Sequence, residues 1–152
     1  MKAKELLNLL RITRQTLVRY VKNGTIRTIE LPNGYYDYND EDVYKMLNKD
    51  IRRKVVIYAR VSTPKQKRDL DNQIELLKTY CINSGLQINS VYADIASGIS
   101  FDKRKEFFQM LDEIIDHKIE KVIIAYKDRL SRVGFELFNH LFKKYGTEII
   151  II

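Results

Sequence analysis

Arg60 and Ser62 stand two residues apart, where the apolar run Val55-Val56-Ile57-Tyr58-Ala59 ends. A guanidinium is planar, permanently charged and able to grip phosphate oxygens through two parallel hydrogen bonds. A hydroxyl beside it is a candidate nucleophile toward phosphorus. Residues two apart share a face of a strand, so these side chains act together if the strand continues through them. A second cluster, Lys127-Asp128-Arg129-Leu130-Ser131-Arg132, follows the apolar segment Val122–Tyr126. If a helix opens there, Arg129 and Arg132 at i, i+3 point together. Three arginines around one serine would neutralise the charge that builds up in phosphoryl transfer. Asp128 reads as a partner for one of these arginines, as a proton-transfer group, or as a helix N-cap. Gln66 lies at capping-box spacing from Thr63, with Pro64 at the first helical position, which gives it a structural reading. Arg104 opens a helix after the long polar loop that begins at Ala96, and on its own reads as a surface residue. His117 and His140 read as surface residues, and Cys81 as core.

The elements that must position these groups follow from periodicity. Strand-like runs over Val55–Val61, Leu86–Ala93, Lys121–Tyr126 and Glu148–Ile152 alternate with amphipathic segments over Ile74–Ser84, Phe107–His117 and Phe135–Tyr145. This alternation predicts an α/β domain with a mainly parallel sheet flanked by helices. Such sheets carry their working residues beyond the carboxyl ends of the strands, where both arginine clusters fall.

Upstream the pattern differs. A leucine-rich helix over Lys4–Leu10 precedes a second over Arg14–Lys22, with Thr13 as its cap and Asn23-Gly24 as its stop. Thr25–Leu31, Pro32-Asn33-Gly34 and Tyr35–Tyr38 read as a hairpin. A further helix capped by Asn39 or Asp40 runs through Val43, Met46 and Leu47. Two short helices and a hairpin predict a small winged helix-turn-helix. Gln15, Val18, Arg19 and Lys22 form the outward stripe of its second helix. Arg14, Gln15, Arg19, Lys22 and Arg27 are its candidate DNA contacts. The expected organisation is a reader over 1–48, a linker over 49–54 and the α/β domain over 55–152.

Charge supports that division. The 152 residues carry a net charge of +7. Residues 1–54 hold 12 Lys/Arg and 7 Asp/Glu, a balance of +5, against +2 for the remainder. A basic module of this size suits nucleic acid as well as it suits a merely soluble surface. No apolar run approaches the roughly 20 residues that span a bilayer, and no secretion signal opens the chain. One cysteine excludes an internal disulfide framework and fits a reducing cytoplasm. Two histidines and that cysteine, widely separated, make no metal site. The chain ends within Ile149-Ile150-Ile151-Ile152, an apolar strand with nothing after it to cover its flank, and it reads as a fragment.

The C-terminal two-thirds resembles the catalytic domain of the serine recombinases, the resolvases and invertases. The resemblance rests on Tyr58-Ala59-Arg60-Val61-Ser62-Thr63 with Gln66, Leu70-Asp71-Asn72-Gln73, Ala96-Ser97-Gly98 followed by Arg104, and Asp128-Arg129-Leu130-Ser131-Arg132. The N-terminal part is similar to MerR-like winged helices through Thr16-Leu17-Val18-Arg19-Tyr20 and Asn23-Gly24. Its place ahead of the catalytic domain resembles the serine transposases of certain insertion sequences. The resemblance implies a DNA recombinase or transposase in which Ser62 attacks a DNA phosphate, forming a 5′-phosphoserine without metal or cofactor. It implies that Arg60, Arg129 and Arg132 hold that phosphate. Arg104, Gln66 and Gln73 then match active-site positions, and Tyr58 and Asp128 supporting ones. Its implied partners are double-stranded DNA at mobile-element ends and a second copy, with dimers pairing into tetramers on DNA in a nucleoid-associated, cytoplasmic setting. Lys67 and Arg68 are additional to the typical resolvase spacing between Gln66 and Gln73. The long helix of the family's dimer interface would follow Ile152. The rival expectation is a MerR-like transcription regulator whose α/β domain only senses or dimerises.

Overall fold

The computed structural model describes residues 1–50 and 53–152. The chain divides into two compact units, Met1–Arg52 and Arg53–Ile152. In the first, α1 (Ala3–Leu10) and α2 (Arg14–Lys22) precede a hairpin of β1 (Thr28–Glu30) and β2 (Tyr36–Tyr38), and α3 (Asp40–Asp50) follows. Thr13 caps α2 by accepting from the Thr16 amide at 3.3 Å, which meets one of the orphan donors of a helix start. Leu6, Leu17, Ile26 and Val43 form the buried centre of this unit. Asp42, in the first turn of α3, holds Arg27: Oδ2 accepts from Arg27 Nε at 2.9 Å and Oδ1 from Nη2 at 3.2 Å.

In the second unit β3 (Lys54–Val61), β4 (Ser90–Ile95), β5 (Ile119–Ile124) and β6 (Glu148–Ile151) form one parallel sheet in the order β4-β3-β5-β6. Strand alternation divides β3 between two faces. Val56 and Tyr58 pack with Phe107, Met110 and Ile114 of α5 (Lys105–Ile115) and with Phe142 of α7 (Phe135–Lys144). Val55, Ile57, Ala59 and Val61 pack with Leu70, Leu77 and Cys81 of α4 (Lys67–Asn83). The chain leaves β3 toward β4 and then crosses back to β5, so the direction of winding reverses between β3 and β5. The carboxyl ends of the strands at such a switch point are where an open α/β sheet binds its ligand.

Several boundaries differ from the sequence expectation. β4 begins at Ser90, not Leu86. Asn89 instead pairs with the start of β3, its Oδ1 accepting from Val55 N and its own amide donating to Val55 O, both at 2.9 Å. β5 is shifted toward its N-terminus and ends at Ile124. α4 starts at Lys67, before the expected Ile74, and its early turns carry the buried face back through Leu70 and Gln73. Of the expected linker, residues 51 and 52 lie outside the described residues. α3 reaches Asp50, and Arg53 and Lys54 belong to the second unit. Among the described residues no helix is long and apolar enough to cross a membrane.

Candidate active site

β3 delivers Arg60 and Ser62 together. Arg60 is fully buried, and its Nη1 donates to Ser62 Oγ at 3.3 Å and to Ala96 O at 2.9 Å. Its Nε donates to Arg129 O at 3.1 Å and its Nη2 to Asp128 O at 2.5 Å. The hydroxyl thus receives a charge-assisted hydrogen bond, a contact that favours the deprotonated form of a hydroxyl.

The Arg60 backbone is held from below by Gln73. Val61 O accepts from Ala96 N on the β4 side, so Arg60, next along the strand, turns its peptide groups toward β5. The pairing of β3 with β5 stops at Ile57↔Ile123, which leaves those groups without a strand. Gln73, only 9% exposed, replaces it: Oε1 accepts from Arg60 N at 3.2 Å and Nε2 donates to Arg60 O at 3.4 Å. The resemblance places Gln73 at an active-site position, and here its amide acts as a substitute strand edge. Gln66 has a different task. Its Oε1 accepts from the amides of Ser62 and Thr63, each at 3.1 Å, and fixes the turn that presents the serine.

The second cluster arrives on α6 (Lys127–Leu130), a single turn. The expectation that Arg129 and Arg132 share a helical face is not met. The helix ends at Leu130, and Ser131 is extended with φ −160°. Arg132 reaches the site by another route: its amide donates to Gly98 O at 3.1 Å, and its side chain crosses the Gly98 Cα. A Cβ at Gly98 would lie 2.7 Å from Arg132 Cγ and 2.8 Å from its Cδ. Any side chain at position 98 would therefore force Arg132 off this path. Arg129 lies 3.9 Å from Asp128 Oδ2 through Nη1, while its Nε is buried with no hydrogen-bond partner.

Arg104 is fully buried at the start of α5, contrary to its surface reading. Its Nε and Nη2 donate to Ser97 O at 3.1 and 3.0 Å, and its Nη1 donates to Leu130 O. Its guanidinium lies 4.2 Å from the centre of the Phe101 ring, a cation–π contact. Arg60 and Arg104 together take the carbonyls of Asp128, Arg129 and Leu130. These are the acceptors that the end of α6 leaves open, and cations there also suit the helix dipole.

Asp94 and Arg53 were not singled out in the sequence. Asp94, buried at the end of β4, accepts from Tyr58 OH at 2.9 Å through Oδ2. It also accepts from the first amides of α5, Glu106 N at 3.1 Å and Phe107 N at 2.9 Å. Its signal was a carboxylate closing the run Val91-Tyr92-Ala93. Arg53, at the opposite, amino end of the strands, donates to His117 O at 2.9 Å and Ile119 O at 2.6 Å, tying down the turn before β5.

Electrostatics within the site are one-sided. Burial pulls the Arg60 pKa down, and the like charges of Arg104, Arg129 and Arg132 add to it. Burial also lowers the pKa of Arg104, against the pull of Tyr58 and Asp94. An arginine nonetheless stays protonated. The like charges that act on Arg60 would be offset by a bound anion. Burial raises the Tyr58 pKa strongly, with the Asp94 charge adding to it, so its hydroxyl stays a donor. Among the described residues no group of three or more His, Cys, Asp or Glu is placed to hold a metal ion.

In the first unit Arg14, Gln15, Arg19 and Lys22 are all exposed on α2. Arg27 is engaged by Asp42, as described above.

Residues 55–152 match the family model described as Resolvase, N terminal domain. A protein of Acanthamoeba polyphaga mimivirus that carries the resolvase name, R771, is 32% identical over 160 aligned positions, which take in 100% of this chain and 78% of the relative. The crystallised C-terminal catalytic domain of ISC1926 TnpA, an IS607-like serine recombinase, superposes with a TM-score of 0.61 at 40% identity. That match covers 64% of this chain and 66% of that one. A serine recombinase from Sulfolobus solfataricus matches at the same score and identity, over 66% and 69% of the two chains.

Proposed function

This chain belongs to the resolvase family of serine recombinases, and on that footing we propose that it cuts and rejoins DNA through a covalent link at Ser62. The observation that carries the proposal is the hydrogen bond from Arg60 to the Ser62 hydroxyl, with the like charges of Arg104, Arg129 and Arg132 acting on Arg60.

Ser62 Oγ attacks the phosphorus and loses its proton, forming the Oγ–P bond. The bond from phosphorus to the 3′-oxygen breaks, and that oxygen takes up a proton to leave as a 3′-hydroxyl. The DNA keeps its 5′-phosphate, now esterified to Ser62. Attack by a 3′-hydroxyl from another strand reverses these steps and releases the serine. One phosphodiester is exchanged for another throughout, so no high-energy cofactor is consumed. Arginines supply the positive charge that phosphoryl transfer needs, which makes the reaction metal-independent. Arg129, with an unpartnered Nε, and Arg132 contact the phosphate. Arg60 activates the serine, and Arg104 positions the segment bearing Arg129.

The first unit is the DNA reader, presenting Arg14, Gln15, Arg19 and Lys22 to the duplex, while Arg27 steadies α3 through Asp42. The assembly is a dimer that pairs into a tetramer on mobile-element ends. The test uses the full chain with a nicked duplex of its element end in EDTA. An adduct that forms with the parent and is absent with Ser62→Ala supports the mechanism. Equal adduct from both proteins rejects it, and dependence on added magnesium rejects the metal-independent form.

A further inference from the structure

The outward face of α2 carries one side chain that the fold does not use. Val18 is 52% exposed and stands apart from the Leu6, Leu17, Ile26 and Val43 cluster. A β-branched residue also lowers helix propensity slightly, so α2 gains nothing locally from valine at this position. Val18 lines one open depression with Gln15, Arg19, Lys22 and Asn23. No acidic residue occurs anywhere along α2. An isolated apolar spot therefore sits within a cationic, hydrogen-bonding surface. A protein partner would call for a larger apolar area, but Val18 is the only large exposed apolar side chain of α2. The major groove offers a different complement: phosphates for the cations, base-edge acceptors and donors for Arg and Gln, and the thymine methyl for an aliphatic group.

We propose that Val18 is a specificity-determining residue that packs against the C5-methyl of a thymine in the major groove of the recognised DNA. The proposal rests on the reading of the first unit as a DNA reader. It adds a preference for thymine at the base step facing the centre of α2.

The test begins with the full chain selecting duplexes from a randomised library. An enriched duplex is then resynthesised with each thymine in turn replaced by deoxyuridine, which removes only the methyl group. At one thymine per half-site the replacement should weaken binding about fourfold, the equivalent of one buried methyl. Val18→Ala, a change that favours the helix, should bind the thymine duplex with the same loss and show no further loss with deoxyuridine. Unchanged affinity for every deoxyuridine duplex overturns the proposal, as does a full deoxyuridine penalty retained by Val18→Ala. Failure of the reader itself has another signature: no sequence is enriched, and Arg19→Ala alters neither affinity nor its salt dependence. That result removes Val18 as a reader too.

Discussion

Replacing Asp94 by alanine should loosen the second unit more than any exposed substitution, because three donors converge on that carboxylate. Tyr58 OH, Glu106 N and Phe107 N all lie within 3.1 Å of its oxygens, and Tyr58 and Phe107 are buried. A buried donor left without its partner costs about 1–3 kcal/mol. Two fully buried donors therefore predict a loss of about 2–6 kcal/mol, to which the part-buried Glu106 amide adds a smaller share. This is a large part of the roughly 5–15 kcal/mol that keeps a domain folded. Native-state hydrogen exchange of the α5 amides as a function of urea reads the opening of that element directly. Tyr58→Phe removes one donor but leaves Asp94 bound to both amides, so alone it should cost only about 1 kcal/mol. In the Asp94→Ala background the same change removes a stranded hydroxyl and should be neutral or stabilising. The coupling between the two sites is then about 1–3 kcal/mol. A loss below about 1 kcal/mol for Asp94→Ala, or strictly additive effects of the pair, would refute this account of how α5 and Arg104 are held.

Three further outcomes are expected. Gly98→Ala places a Cβ against Arg132, so DNA cleavage should fall at least about tenfold, which is a barrier increase of about 1.4 kcal/mol; unchanged cleavage would mean that Arg132 does not need its path across Gly98. Gln73→Ala strands the Arg60 peptide groups and should cost about 2–3 kcal/mol in urea unfolding of the second unit, whereas Gln73→Glu, which keeps one acceptor, should cost less; equal losses would contradict the substitute-strand role. Burial, with Glu113 adding to it against the opposing pull of Ser90, pushes the Tyr92 pKa up to about 12. A tyrosine whose folded pKa is raised binds its proton more tightly when folded. Its stabilising contribution is complete below the unfolded pKa of about 10 and is lost as pH rises toward the folded value. The urea midpoint should therefore drop between those two pH values, and less steeply in Tyr92→Phe; a flat profile would be inconsistent with the burial of Tyr92.

Much of this fold was readable in the chain because its apolar periods are clean. Arg14–Lys22 coincides with α2, since Thr13 and Asn23 mark its ends with groups that satisfy open backbone positions. The parallel sheet followed from strand runs separated by helical ones. Arg60 and Ser62 come within hydrogen-bond reach although β3 ends at Val61, one residue short of the serine, so the turn held by Gln66 and not strand alternation sets the position of Ser62. What escaped depends on contacts distant in sequence. Leu86–Asn89 looks like strand by composition, yet Asn89 pairs side-on with Val55 and β4 starts after it. Arg104 reads as a surface arginine because burial of a guanidinium depends on the carbonyls of Ser97 and Leu130, which no local pattern reveals. Arg132 comes near Arg60 by a glycine crossing and not by the helical repeat that its spacing suggests.

Identifying the residue that carries the DNA tests the central claim most directly. The adduct formed on a nicked duplex would be trimmed with nuclease, digested with protease and sequenced by mass spectrometry. A nucleotide esterified to Ser62 through its 5′-phosphate is the expected product. A nucleotide on Thr63 or Ser131, or linkage through a 3′-phosphate, would contradict it.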